Sequence, residues 1–333
     1  MLRVIVVGMG PIGINSARAV LANRDMQLTG LVDLDPNKIG KTIDQIEGKG
    51  VPAGPKVVGS LAEAAKGGAD VAIVTTTSYF EKIAPTLREC MKLKLHVVSS
   101  CEEMSWPAFR SPELAKQIDA EAKAAGVALL GTGVNPGFVM DFLPVVLSSM
   151  VNQVTSVKAI RRVDASTRRQ PLQAKVGATM TKEHFEGLAK AGKIGHMGIG
   201  ESVALIAHGL GRTAKPSEVK ITLEPVIADR EMPSLLGTIK PGQVCGMHNI
   251  ARWSGEGLSI DLDLIMAVGW KEPHDTVELG GPVPLKLTIP GSTPGDSATV
   301  ASLANLSRVL PRTTPGLKTM LDIPVGGAQG RAK

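Results

Sequence analysis

From residue 2 to residue 130 the apolar positions switch regularly between two periods. Residues 2–7 (Leu-Arg-Val-Ile-Val-Val) form a mostly β-branched apolar run, as a buried strand requires. After a glycine cluster, Ile14 to Leu21 repeat with helical spacing. A second strand is predicted over Gln27–Val32, followed by a polar stretch rich in proline and glycine. The alternation then continues: strand Lys56–Val58, helix Leu61–Lys66, strand Asp70–Thr75, helix Tyr79–Lys92, strand His96–Ser100, helix Glu113–Ala125 and strand Val127–Leu130. Strands alternating with helices predict a doubly wound parallel sheet with right-handed crossovers.

The rhythm breaks at Gly131-Thr132-Gly133-Val134-Asn135-Pro136-Gly137. Beyond it the pattern predicts a helix over Asp141–Met150, a strand over Val154–Arg162, and glycine-punctuated helices around 181–191 and 200–209. Strand-like stretches follow near 218–227, 259–268 and 283–289, giving a second, α+β domain built on a mixed or antiparallel sheet. Ser297 to Leu310 is helical in pattern and Pro311 stops it, while the tail from Gly326 is expected to be disordered. The expected division is 1–140, 141–300, and a C-terminal helix and tail, 301–333, that pack back on the first domain.

Length and composition fit this picture. A chain of 333 residues accommodates two α/β domains, and 43% hydrophobic with 20% charged residues is a globular balance. No run approaches the roughly 18 apolar residues of a membrane span. The apolar residues after Arg3 are broken by Gly8, Gly10, Pro11 and Gly13, so they read as a strand rather than a secretory signal. Three cysteines at 90, 101 and 245 match neither a disulfide framework nor a zinc motif, and the six histidines lack metal-ligand spacing. A cytoplasmic protein without a metal is expected.

The formal charge of +6 is uneven. Residues 1–140 carry 15 basic and 14 acidic groups, and 141–333 carry 22 and 17. Lys158, Arg161, Arg162, Arg168, Arg169 and Lys175 enclose only Asp164, but no aromatic residues interleave them, so a strand edge or site rim is favoured over a nucleic-acid surface.

The chemistry begins at Gly8-Met9-Gly10-Pro11-Ile12-Gly13, a G-x-G-x-x-G run placed after a strand and at the start of a helix. Gly8 permits the tight turn, Gly10 lets a pyrophosphate approach the backbone, and Gly13 lets helix and strand pack closely, while the helix N–H groups face the phosphates. Asp33 ends the second strand 20 residues after Gly13, where a carboxylate hydrogen-bonds the adenosine ribose. This predicts a Rossmann-type domain and NAD as cofactor. NADP stays possible because Asp35, Asn37, Lys38 and Lys41 can reshape the pocket. Thr75, Thr76, Thr77 and Ser78 fall at the carboxyl edge of the sheet, as contacts to the cofactor or as caps of the next helix. Glu102 and Glu103 lie one strand further along, as a general acid or base or as loop carboxylates. Asn135 and Gly137 are expected to roof the same cleft on the cofactor side, or to form a simple turn. Phe138 and Phe142 offer apolar surface in a chain with nine aromatic residues.

Taken together, the fingerprint, Ser99-Ser100-Cys101-Glu102-Glu103, Gly133 to Asp141, Arg161-Arg162-Val163-Asp164-Ala165, Arg168 to Gln173, Gly195-His196-Met197-Gly198, Gly200-Glu201-Ser202 and Pro315 to Met320 resemble the family of 2,4-diaminopentanoate and native amine dehydrogenases. Its nucleotide domain is related to dihydrodipicolinate reductase, although the His-His-x-x-Lys-x-Asp and Ser-Gly-Thr segments of that reductase are absent here. The resemblance implies NAD(P)-dependent oxidative deamination of an amine or diamine, or reductive amination of a ketone or aldehyde with ammonia. It further implies an essential glutamate at Glu102 or Glu103, with Glu102 favoured as the nearer to the strand end. Residues 138–142 and 161–177, Arg161 among them, are expected to line the substrate pocket. The other readings are an imine or carbonyl reductase of the same architecture and a non-catalytic NAD-binding sensor. A homodimer paired through the second sheet is expected.

Overall fold

A computed structural model describes residues 1–48 and 52–324; the tail from Gly326 lies outside them. The chain divides into two units, Met1–Phe138 together with Pro294–Lys333, and Val139–Thr293.

The first unit is built on a seven-stranded parallel sheet. Its strands are β1 (Leu2–Val7), β2 (Met26–Val32), β3 (Val57–Val58), β4 (Val71–Val74), β5 (His96–Ser99) and β6 (Ala128–Gly131). Between them run α1 (Pro11–Leu21), α2 (Ile43–Glu47), α3 (Leu61–Ala64), α4 (Phe80–Lys92) and α5 (Pro112–Ala125). The spatial order β3-β2-β1-β4-β5-β6 reverses direction between β1 and β4, and an open sheet binds ligands at the carboxyl edge beside such a switch. Val4 to Val7 of β1 and all of β4 are buried, which explains their continuous apolar sequence: a parallel strand covered on both faces has no polar side. Half-buried at the amino edge, His96 is held below the ordinary histidine range by partial loss of solvent, and its Nδ1 accepts the Ala128 N–H at 3.0 Å.

The second unit holds α6 (Phe142–Ser148), β7 (Ser156–Asp164), α7 (Gln170–Lys175), α8 (Lys182–Lys190), α9 (Ile199–Gly209), β8 (Lys220–Ile227), β9 (Val244–Gly255), β10 (Leu258–Ala267), β11 (His274–Gly280) and β12 (Leu285–Pro290). These strands form a mixed six-stranded sheet in the order β12-β11-β7-β10-β9-β8, in which only β7 and β10 run parallel. Strand alternation buries Val157, Ala159, Arg161 and Val163 of β7 on one face and leaves Lys158, Ile160, Arg162 and Asp164 partly or fully exposed on the other. Helix α9 is apolar almost all round and packs on β9 and β10, so its residues from Ile199 to Ala207 are all buried.

After the second unit the chain re-enters the first as α10 (Gly295–Val309), which lies beside α1 and against β4 and β5, and as β13 (Gly316–Lys318), which pairs with β6 at the sheet edge. The pattern reading did not identify β9, β11 or β13. Strand β9 mixes Gly, His, Asn and Ala and is buried on both faces over much of its length, so it shows neither clean alternation nor a β-branched run. With three residues, β13 is too short to carry a period.

Candidate active site

The glycine loop is shaped by steric necessity. Gly8 sits at φ +89°, and a Cβ there would stand 2.9 Å from the Thr75 carbonyl oxygen. A Cβ on Gly13 would stand 1.8 Å from the carbonyl oxygen of Gly8, so helix and loop touch only because neither residue has a side chain. Gly10 differs: a Cβ there would meet nothing within 4 Å. The space above Gly10 is thus open, as an approaching pyrophosphate requires. Helix α1 begins with Pro11, which has no N–H, and its first intrahelical bond runs from the Ile14 N–H to the Gly10 carbonyl at 2.9 Å. The N–H groups of Ile12 and Gly13 at the helix start are therefore oriented for an anion.

Asp33 closes this loop from the β2 side. Its Oδ2 accepts the Met9 N–H at 2.7 Å and the Lys38 ammonium at 3.1 Å, and its Oδ1 accepts the Asp35 N–H at 2.9 Å. Burial alone raises its pKa, but the Asp35 and Met9 amides and the Lys38 ammonium outweigh that and hold the carboxyl below its ordinary value. It is an anion at neutral pH, tied to the middle of the fingerprint. Leu34 and Ile39 beside it are 83% and 43% exposed, an apolar pair suited to the faces of a flat base. The residues present fit an adenine dinucleotide.

At the carboxyl edge of β4 the threonines divide. Thr75 donates its hydroxyl to the Gly8 carbonyl at 2.8 Å, so it holds the glycine loop. The Thr77 hydroxyl accepts the Tyr79 N–H at 3.3 Å, a cap-like contact before α4. Thr76 is exposed, and its methyl group lies against Gly8.

The two glutamates after β5 also divide. Glu103 is 8% exposed; its N–H donates to the Ser78 carbonyl, its Oε2 accepts the Phe80 N–H at 2.7 Å at the start of α4, and its Oε1 lies 3.6 Å from Arg110 Nε. A carboxylate at a helix N-terminus satisfies an otherwise orphaned N–H and the helix dipole. Glu102 opens the short 3-10 turn Glu102–Ser105 and is half-buried at the carboxyl edge. Between it and β5, the Cys101 thiol is pushed up to about 12 by burial and stays protonated.

The loop after β6 is compact. Gly137 lies at φ +122°, and a Cβ there would stand 2.4 Å from the Gly133 nitrogen, so only glycine fits. The Asn135–Pro136 peptide is cis. Helix α10 supports the loop: the Thr299 hydroxyl accepts the Val134 N–H at 3.2 Å, and the Ser302 and Thr132 hydroxyls lie 2.8 Å apart. These supports escaped the sequence reading because they come from residues some 170 positions away. Phe138, the last residue of this stretch of the first unit, is 39% exposed.

In the second unit two of the expected pocket residues are buried. Arg161, read as a substrate ligand, is 3% exposed: its Nη1 donates to both oxygens of Asp275 at 2.9 and 2.8 Å, and its Nη2 to the Thr293 carbonyl at 2.7 Å. Its guanidinium is committed to a buried ion pair because β7 turns odd-numbered residues toward the helix-covered face. Phe142, expected to offer apolar surface to the substrate pocket, is 5% exposed in the first turn of α6. The preceding Asp141, fully buried, accepts the Phe142 N–H at 2.7 Å and the Ser202 hydroxyl at 2.8 Å, tying two of the sequence motifs together. Among the described residues no group of three or more His, Cys, Asp or Glu side chains could hold a metal ion. No helix among them is long and apolar enough to cross a membrane.

Known proteins share this two-unit fold. Residues 1–98 match a model described as a CoA binding domain, and residues 138–331 match the 2,4-diaminopentanoate dehydrogenase C-terminal domain. The chain is 30% identical to 2,4-diaminopentanoate dehydrogenase of Acetoanaerobium sticklandii, over 97% of this chain and 93% of that protein. Among solved structures, an amine dehydrogenase from Mycobacterium smegmatis superposes with a TM-score of 0.86 at 24% identity, covering 99% of this chain and 97% of that one. A probable dehydrogenase from Thermotoga maritima shares the fold at 0.57 and 14%, covering 96% and 92%. A nucleotide-binding parallel sheet joined to this second unit, with matches spanning nearly the whole chain, places the protein in the 2,4-diaminopentanoate dehydrogenase family, as an NAD(P)-dependent oxidoreductase acting on amines.

Proposed function

We propose that the protein carries out the reversible oxidative deamination of a small amine or diamine with NAD, and in reverse the reductive amination of a ketone or aldehyde with ammonia, with Glu102 as the catalytic carboxylate. The observation that carries this reading is the place of Glu102, half-buried at the carboxyl edge of the sheet whose glycine loop fits the dinucleotide. Bound nicotinamide supplies the hydride acceptor in deamination and the donor in amination.

The Glu102 carboxylate does the remaining work. It attracts the ammonium, accepts its proton and passes that proton to water, so that the regenerated carboxylate stabilises the iminium that forms as the substrate C–H bond gives up hydride. Water then adds to the iminium carbon with loss of a proton, and the carbinolamine expels ammonia, leaving the carbonyl. Opposite charges interact more strongly in a water-poor site than in bulk, so one well-placed carboxylate lowers the barrier substantially. Phe138 gives the substrate an apolar surface, and Asn135 and Gly137 belong to the cofactor side of the same loop. NAD is the preferred cofactor, because the Asp33 anion at the β2 edge accepts a ribose hydroxyl and repels a 2′-phosphate. The three unpaired cysteines support a cytoplasmic setting.

The protein is proposed to act as a homodimer paired through the open face of the mixed sheet. Across β12, β11, β7, β10, β9 and β8 one row on this face reads Lys286, Glu278, Lys158, Asp261, Arg252 and Lys220. A two-fold pairing lays this row against its own reverse, so that Glu278 faces a second copy's Arg252 and Lys158 a second copy's Asp261. Sedimentation at micromolar concentration is expected to show a dimer that Lys158→Glu weakens; a monomer in the wild type rules this pairing out.

The reaction is tested by following NADH and NADPH oxidation at alkaline pH with a panel of ketones, aldehydes and amino ketones, each with and without high ammonium. Oxidation that requires ammonium is expected, with NADH the better donor. Oxidation indifferent to ammonium identifies a plain carbonyl or imine reductase, and cofactor binding without any turnover identifies a sensor.

A further inference from the structure

We infer that Lys38 is a movable counter-ion that lets the adenosine end of the site accept a 2′-phosphate despite Asp33. The inference rests on the reading that the Gly8–Gly13 loop holds a nicotinamide dinucleotide.

The geometry separates what is fixed from what can move. Asp33 is held by two backbone amides, those of Met9 and Asp35, neither of which involves Lys38. The Lys38 backbone is fixed in a turn, its N–H donating to the Asp35 carbonyl at 3.0 Å and its carbonyl accepting the Lys41 N–H at 3.0 Å. Its ammonium spans Asp33 Oδ2 at 3.1 Å and Asp35 Oδ2 at 3.8 Å, with about a quarter of the side chain exposed. A lysine on four flexible methylenes with three rotatable donors exchanges such partners readily, whereas a carboxylate pinned by amides does not.

The charge balance shows why the exchange matters. The β2 edge carries Asp33 and Asp35 against Lys38 and the exposed Lys41, with Asn37 bonded to Asp35. With only a ribose hydroxyl present, Lys38 neutralises Asp33. A 2′-phosphate brings about 1.5 to 2 negative charges to this edge, and the ammonium can pivot from Asp33 onto the phosphate oxygens while the two amides keep the carboxylate satisfied. The site then discriminates against NADP by a modest factor rather than excluding it, and Lys38 sets that factor.

The test uses the adenosine halves alone, so it needs no turnover. Calorimetry compares 5′-AMP with adenosine 2′,5′-bisphosphate on the full-length wild type, Lys38→Ala and Lys38→Arg. The wild type is expected to bind both, with the bisphosphate more sensitive to added salt. In Lys38→Ala the ratio of bisphosphate to 5′-AMP affinity is expected to fall about tenfold, the size of one charge-assisted contact, and Lys38→Arg is expected to retain it. An unchanged ratio in Lys38→Ala, or a wild type that binds 5′-AMP but not the bisphosphate, overturns the inference. If the wild type binds neither nucleotide nor NADH, the dinucleotide reading itself falls, and the inference with it.

Discussion

Replacing Glu102 with Gln is expected to lower kcat in both directions by about 10²–10⁴-fold, the usual worth of a positioned proton-transfer group, while NADH still binds. Glutamine keeps the size and hydrogen-bonding capacity of the side chain and removes its charge and basicity, so the loss reports on those two properties. Glu103→Gln separates the roles. That side chain caps α4 through the Phe80 amide and faces Arg110, so its change is expected to cost about 0.5–2 kcal/mol of stability with a much smaller effect on rate. Steady-state kinetics with thermal melts on both variants decide the matter. A Glu103 variant that loses turnover while the Glu102 variant keeps it would reverse the assignment.

The second large effect is structural. Asp275 collects two bonds from Arg161, one from the Ser292 hydroxyl at 2.9 Å and one from the Thr293 N–H at 2.6 Å. Both members of the pair are nearly solvent-free, and burial pushes the Arg161 guanidinium down from its ordinary value. Asp275→Ala is expected to destabilise the protein by about 3–5 kcal/mol, because it leaves a buried cation uncompensated. Removing both charges in an Arg161→Met, Asp275→Leu variant is expected to recover part of the loss. Recovery stays incomplete because the Ser292 hydroxyl and Thr293 amide still lack their acceptor. Urea unfolding of the three proteins measures this, and a single variant within about 1 kcal/mol of wild type removes the ion pair as a determinant of stability. The same pair shows what the arginine-rich stretch 158–175 leaves open: sequence shows a cluster of cations but not which of them β7 turns inward.

The first domain was legible almost element by element. Its strands are covered on both faces and its helices on one, so the two periods stand out in the composition itself, and the glycine fingerprint and Asp33 declare a local geometry in which backbone sterics leave little choice. The mixed sheet was less visible: β9 and β11 owe their existence to partners on either side rather than to their own residues.

By itself, then, the sequence determined the parallel sheet, the dinucleotide loop and the segment carrying the carboxylates, because those features depend on near neighbours in the chain and on the steric demands of glycine. Only the tertiary structure decided which glutamate caps a helix, which arginine is spent in a buried ion pair, and which lysine stands beside Asp33. Those outcomes depend on where a side chain meets distant partners, as when Glu103 meets Phe80 and Arg161 meets Asp275, and no local pattern encodes such a meeting.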